Sequence, residues 1–134
     1  MKLSFKVNKN IDLVFEYLTD MEKFALIHPV ISRIDKISHQ NYKVHETLKF
    51  GMVPFSFTYP VTIEKSISDK IVRMRATVFY FTKIEMKFFL REDAGHTIIE
   101  EEIYFTSPFP VVGTMKRIFK KQHQKLFETI HSLE

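Results

Sequence analysis

The sequence predicts an α+β domain in which a curved, seven-stranded antiparallel sheet wraps around a long C-terminal helix, with two short helices after the first strand. Three observations carry that reading. Apolar and polar residues alternate with a period of two through most of residues 31–106, the mark of half-buried strands. The segment after the first strand, and the C-terminal tail, instead repeat their apolar positions at helical spacing. Short polar breaks separate the strand-like runs and leave no room for crossover helices, so neighbouring runs pair antiparallel.

The first strand covers residues 2–7, with Leu3, Phe5 and Val7 on one side and Lys2, Ser4 and Lys6 on the other. Asn10 is suited to cap a helix whose apolar positions are Ile11, Val14, Phe15 and Leu18, and Asp12 in its first turn complements the helix dipole. Asp20 caps a second short turn through Ala25. His28-Pro29 ends it, because the residue before a proline is pushed out of the helical region. Strands are then expected near 31–38, 41–50, 55–67, 70–80, 82–92 and 96–106. The breaks fall at His39-Gln40, Gly51 to Pro54, Ser68-Asp69, around Phe81 and at Asp93-Ala94-Gly95. Pro60 lacks a ladder donor, so its strand should bulge there or lie at an edge. Pro108 and Pro110 end the last strand. Val112, Met115, Phe119, Gln122, Leu126, Phe127, Ile130 and Leu133 then form a helical stripe opposed by Lys116, Lys120, Lys121 and Lys125. Only this helix, of about five turns, has a stripe large enough to cover the concave face of a twisted sheet.

Composition narrows the function classes. At 134 residues, 45% of them hydrophobic, the chain reads as one domain, 1–134, that builds its core without staples. It contains no cysteine, which removes disulfides and thiolate metal sites and fits a reducing cytoplasm. No apolar run reaches the roughly 20 residues of a membrane helix, and Met1 to Lys6 lack the apolar stretch of an export signal, so a cytoplasmic location is expected. The net charge of +4 is spread among acidic residues and does not point to nucleic acid. His28, His39, His45, His96, His123 and His131 show no paired ligand spacing, so no metal site is expected. Three glycines cannot form a phosphate-cradling loop, no motif for an activated serine occurs, and no cofactor is expected. The oddity is 14 Phe and 5 Tyr without any Trp: rings that either fill a dense core or wall an apolar pocket.

Several segments together resemble the START-related SRPBCC superfamily, which includes pollen-allergen-like carriers and polyketide cyclase-like proteins. They are the strand Phe5-Lys6-Val7-Asn8, the helix from Ile11-Asp12-Leu13-Val14-Phe15 to Asp20, His28-Pro29, and the proline-helix segment from Pro108. The resemblance covers essentially the whole chain. The stretch Leu48-Lys49-Phe50-Gly51-Met52-Val53-Pro54-Phe55-Ser56-Phe57 is similar to the corresponding loop of CoxG-type members. The resemblance implies a helix-grip fold with a cavity between sheet and C-terminal helix. Functions vary widely on that fold, so it leaves the chemistry open.

Unless a bulge shifts the alternation, the inward rows are Tyr42, Val44, Glu46, Leu48, Phe50; Phe57, Tyr59, Val61, Ile63; Val72, Met74, Ala76, Val78; Ile84, Met86, Phe88, Leu90; and Ile99, Glu101, Ile103, Phe105. From these rows and the helical stripe, the expected ligand-binding residues are Tyr42, Val44, Glu46, Leu48, Phe57, Tyr59, Val61, Met74, Val78, Met86, Phe88, Glu101, Ile103, Met115, Phe119 and Gln122. Glu46 and Glu101 interrupt apolar rows and are the candidate catalytic residues. A buried carboxylate needs a partner, a proton or a wet cavity, and in a pocket it can orient a ligand or act as a general base. The alternative places each at a solvated strand end or turned outward by a bulge, and the run Glu100-Glu101-Glu102 favours that for the second. Tyr42 and Tyr59 can each present a hydroxyl to a pocket. Arg73 and Arg75 fall on the outer face, and His123 reads as a boundary residue beside the stripe.

The leading function is binding or transport of a hydrophobic small molecule, lipid-like or polycyclic, without catalysis. The alternative is a cyclase- or dehydratase-like enzyme with a pocket carboxylate as base. A third is an interaction module, monomer or homodimer, whose rings fill the interior. Phe109-Pro110-Val111-Val112 reads as a cap on the core at the helix start, with contact to an anionic membrane as the weaker reading.

Overall fold

A computed structural model describes residues 1–134; the side chain of Phe50, expected in the inward row of its strand, lies outside what is described. The elements are β1 (Lys2–Val7), α1 (Ile11–Thr19), α2 (Met21–Ile27), β2 (Ile31–Ser38), β3 (Asn41–Phe50), β4 (Val53–Ser66), β5 (Ile71–Val78), β6 (Thr82–Asp93), β7 (His96–Thr106) and α3 (Val112–His131). The seven strands form one antiparallel sheet in the order β1-β7-β6-β5-β4-β3-β2, as the α+β reading required.

Local chemistry sets the boundaries. The Asn10 side chain accepts the Leu13 N–H at 2.8 Å and starts α1. Asp20 ends that helix by donating its own N–H to the Glu16 carbonyl at 2.8 Å. Its carboxylate then accepts from the Glu22 and Lys23 N–H groups at 3.1 and 3.3 Å to start α2. That helix runs on through Ile27, past the expected Ala25, because nothing stops it before Pro29. β4 starts at Val53, earlier than expected, since Phe50 and Val53 face each other across a tight turn in which Gly51 has a φ of 64°.

Pro60 lies at an edge and makes no bulge. Its register opposite Lys43 is regular, and Ile63 donates to the Gln40 carbonyl across that ladder. Donors alternate along a strand, so the proline nitrogen faces the other side, where the β4–β5 ladder ends at Val61 opposite Ala76. The bulges lie instead between β2 and β3, at Ile31/Arg33 and Lys36/Ser38. On the outer face Arg73 and Arg75 sit among Glu64 and Glu85 at 3.2–3.7 Å.

The interior is dense at one end and hollow at the other. The C-terminal half of α3 beds onto β1 and, through His123 and Glu101, onto β7. The Phe5 and Phe127 rings stack there at 4.5 Å, and Val7, Val14, Leu18, Phe88, Ile99, Leu126 and Ile130 are fully buried. The N-terminal half of α3 stands off the sheet. Among the described residues no helix is long and apolar enough to cross a membrane.

Candidate functional site

The space under the N-terminal half of α3 is a cavity of about 370 Å³, walled by the inner faces of β3, β4, β5 and β6 and closed on one side by α2. That volume falls in the roughly 300–1,000 Å³ range of small-molecule pockets. Val44, Glu46, Leu48, Phe57, Tyr59, Val61, Met74, Val78, Met86, Met115, Phe119 and Gln122 all lie on its wall.

Four residues expected there lie elsewhere. Phe88 and Ile103 belong to the dense end, where α3 fills the space above β6 and β7; Phe88 meets the rings of His123 and Phe127, each at 6.2 Å. Glu101 is covered by His123. Tyr42 faces a separate groove where β4 and β5 part, beside Pro60, Thr77 and Tyr80. The solvated placement also fails for both carboxylates, since Glu46 is 8% exposed and Glu101 1%. His123 is no boundary residue either: it is 2% exposed and lies on the cavity wall.

Sequence reasoning missed the contribution of α2. Met21, Phe24 and His28 reach the cavity together, and their helical spacing was a legible signal. It also missed the loop residues Phe79, Phe109 and Val111, for which no periodicity exists, and Thr82 and Thr114 at the starts of β6 and α3.

The polar groups gather where α2 and α3 approach the sheet. Tyr59 donates its hydroxyl to Glu46. Burial raises the Glu46 carboxyl above its ordinary range, and the Tyr59 hydrogen bond and the nearby His123 hold it back in part. The Tyr59 phenol is pushed well up, first by burial and then by Glu46. The Nδ1 of His28 accepts the Val30 N–H at 3.3 Å, so its own proton sits on Nε2. Burial, with His123 beside it, lowers the His28 pKa to about 3 and keeps that ring neutral. The His123 Nδ1–H donates to Glu101 Oε1 at 2.8 Å, and the His28 and His123 rings meet edge to face at 6.4 Å. Among the described residues no cluster of three or more His, Asp or Glu could hold a metal ion.

Three loops frame the mouth. The β3–β4 hairpin brings Met52, Val53 and Phe55, the β5–β6 turn brings Phe79, Tyr80 and Phe81, and the β7–α3 connection brings Phe109 and Val111; all are exposed. Phe109 and Val111 therefore do not cap the core as expected. Phe79 packs on Phe57 and Phe55 at 4.9 and 6.0 Å, and Phe81 on Phe109 at 6.1 Å. Phe79 and Tyr80 hold φ angles of 53° and 68°, left-handed conformations that cost bulky residues about 1–3 kcal/mol each. The charged residues of segments 47–62, 76–84 and 103–119 are Lys49, Lys83, Lys116 and Arg117, all cationic.

Comparison with known proteins agrees with this architecture. The chain superposes on Ara h 8.0201 with a TM-score of 0.79 at 14% identity, over 98% of this chain and 93% of that one. A START superfamily protein from Mycobacterium smegmatis gives 0.78 at 14% identity, over 98% and 93%. The Zhui aromatase/cyclase from Streptomyces sp. R1128 gives 0.68 at 12% identity, over 97% and 89%. At such identities the likeness establishes the fold alone, a helix-grip. Curated proteins give no sequence match. Residues 4–90, more than half of the sequence, match the family of the CoxG subunit of carbon monoxide dehydrogenase, and the chain belongs to that family within the superfamily.

Proposed function

We propose that this protein binds or carries a hydrophobic small molecule, lipid-like or polycyclic, in the cavity between the sheet and α3. The observation that carries the reading is the distribution of groups on that wall: aliphatic and aromatic side chains almost throughout, with Glu46, Tyr59, His28, Gln122 and His123 as its main hydrogen-bonding groups. Affinity in such a site comes from apolar burial at roughly 25 cal/mol per Å², less the costs of ordering ligand and protein, and the few polar groups fix orientation. A void of this size does not support an interaction module whose rings fill the interior.

The rim adds a route. Exposed rings beside four cations and no anion favour loading at an anionic lipid surface, the weaker reading from sequence, by a carrier that otherwise resides in the cytoplasm. One observation favours the enzymatic alternative: Glu46 reaches the cavity with a raised carboxyl pKa and a Tyr59 partner, the properties of a general base in a cyclase-like reaction. Glu101 does not reach it.

Native mass spectrometry of gently purified protein tests the main reading. An apolar small molecule should travel with the chain and be lost in Ala76→Phe, which fills the cavity. A parent protein that takes up no apolar molecule or dye would refute it.

A further inference from the structure

Glu101 and His123 form a buried pair; the binding reading counts His123 among the polar groups of the wall but gives its bond to Glu101 no part, and neither residue belongs to the segment 4–90 that matches the CoxG family. Glu101 stands on β7 and His123 on α3. Nδ1 of the imidazole lies 2.8 Å from Oε1 and 2.7 Å from Oε2. Only the Oε1 contact has hydrogen-bonding geometry, and Oε2 has no partner among the described residues. A carboxylate buried with a single donor is costly, and two apolar residues would pack this strand–helix contact at less expense.

The pair has a definite effect on the imidazole. A carboxylate on Nδ1 fixes the proton there, leaves Nε2 as the acceptor, and stabilises the imidazolium if Nε2 takes a second proton. Among the described residues no side chain bonds to that second nitrogen, and the residue lies on the cavity wall. The Phe88 and Phe119 rings flank the imidazole at 6.2 and 5.5 Å and keep bulk water from it. The titratable groups facing it from other elements are His28 at the end of α2, Glu46 on β3, Tyr59 on β4 and Glu101 itself. His28 carries its proton on Nε2 and is a neutral donor on the same wall.

We infer that the Glu101–His123 pair is a proton-accepting site, and that the ligand class it selects is an apolar molecule bearing a weakly acidic hydroxyl, a phenol or an enol. The hydroxyl donates to His123 Nε2. On transfer the O–H bond breaks, its electron pair stays on oxygen, and an N–H bond forms at Nε2. The result is a phenolate or enolate paired with an imidazolium that Glu101 neutralises, with no redox change and no co-reactant. Glu101 acts as a positioning residue and His123 as the group that touches the ligand. This inference rests on the cavity being a ligand site.

The test uses the full chain and two probes, a 4-nitrophenol with an alkyl substituent and its O-methyl ether, at a pH below the solution pKa of the phenol. Tyrosine fluorescence reads binding of both, and visible absorbance reads phenolate. The expected result is binding of both, about tenfold tighter for the phenol, with the phenolate band appearing on binding. In His123→Gln, which can still donate to Glu101, the two probes should bind equally and the band should vanish. Glu101→Gln should retain ether binding and lose the band. If the parent protein binds both probes equally, with the phenol neutral, the inference is overturned and the binding function stands. If neither probe binds, both are overturned. Because the parent comparison alone decides, a variant that fails to fold does not leave the question open.

Discussion

Phe57 of β4 and Phe79 of the β5–β6 turn pack with ring centroids 4.9 Å apart across the gap where their strands no longer pair. The contact plugs a split in the sheet beside the mouth, and it is held by a turn with two consecutive left-handed aromatic residues. Tyr80, 91% exposed, contributes almost no burial to offset that conformation. Tyr80→Gly should raise stability by about 1 kcal/mol, seen as a higher midpoint in thermal unfolding. Phe79→Asn relieves its own turn position but removes the plug, so it should leave the midpoint nearly unchanged and speed dissociation of a bound apolar dye in stopped flow.

Glu46 gives a pH dependence of definite sign. Its carboxyl is raised in the fold, so between its ordinary pKa of 4.5 and the raised value the folded chain holds a proton that the unfolded chain releases. Stability from this group is therefore complete below 4.5 and is lost as pH rises through that window. Glu46→Gln keeps an acceptor for Tyr59 and removes the buried charge. Urea unfolding should show the variant more stable than the parent at mildly alkaline pH, with the difference shrinking in acid.

His28 supplies the opposite slope. The unfolded chain binds a proton near pH 6.5, which the folded chain refuses until about 3, so stability falls as pH drops between those values. The limit is about 1.4 kcal/mol per pH unit. His28→Gln should flatten the acid limb of stability against pH, and unequal slopes in parent and variant are the measurement. Equal slopes would show that the ring is already charged in the fold.

The dense and hollow ends should respond differently to truncation. Phe127→Ala removes a ring stacked on Phe5 in the closed core and should cost about 3–5 kcal/mol in chemical denaturation. Met115→Ala faces space that is already empty and should cost under about 1.5 kcal/mol, while shifting preference toward bulkier apolar ligands.

Charge at the rim can be tested apart from the cavity. Lys116→Glu with Arg117→Glu should abolish co-sedimentation with vesicles containing phosphatidylserine while leaving dye binding intact. Equal sedimentation of parent and variant would remove the lipid-loading route.

Much of this arrangement was legible in the sequence, because strand alternation and the α3 stripe report which side of each element is covered. They do not report depth. Phe88 and Ile103 share inward rows with Met86 and Phe105, yet α3 tilts onto them and away from Met86, and no period encodes a tilt. Tyr42 escaped for a related reason, since the end of the β4–β5 ladder depends on tertiary pairing. The Glu101–His123 contact joins a strand to a helix across 22 residues, and no spacing rule connects the two. A histidine beside an apolar stripe reads as rim from the sequence, and only its partner shows that it is wall.

The position of β1 reaches beyond the finished molecule. Within the sheet that strand pairs with β7, Lys2 opposite Glu102, and the Asn8 N–H meets His131 Nδ1 at 2.9 Å. Closing a loop of that length is entropically slow, whereas the hairpins from β2 to β7 close over a few residues. On the ribosome, the hairpin meander can therefore assemble while β1 waits and the α3 cover is still unmade. The nascent chain passes through a stage with its greasy inner surface bare, and that stage is where a chaperone would engage it and where misassembly would begin.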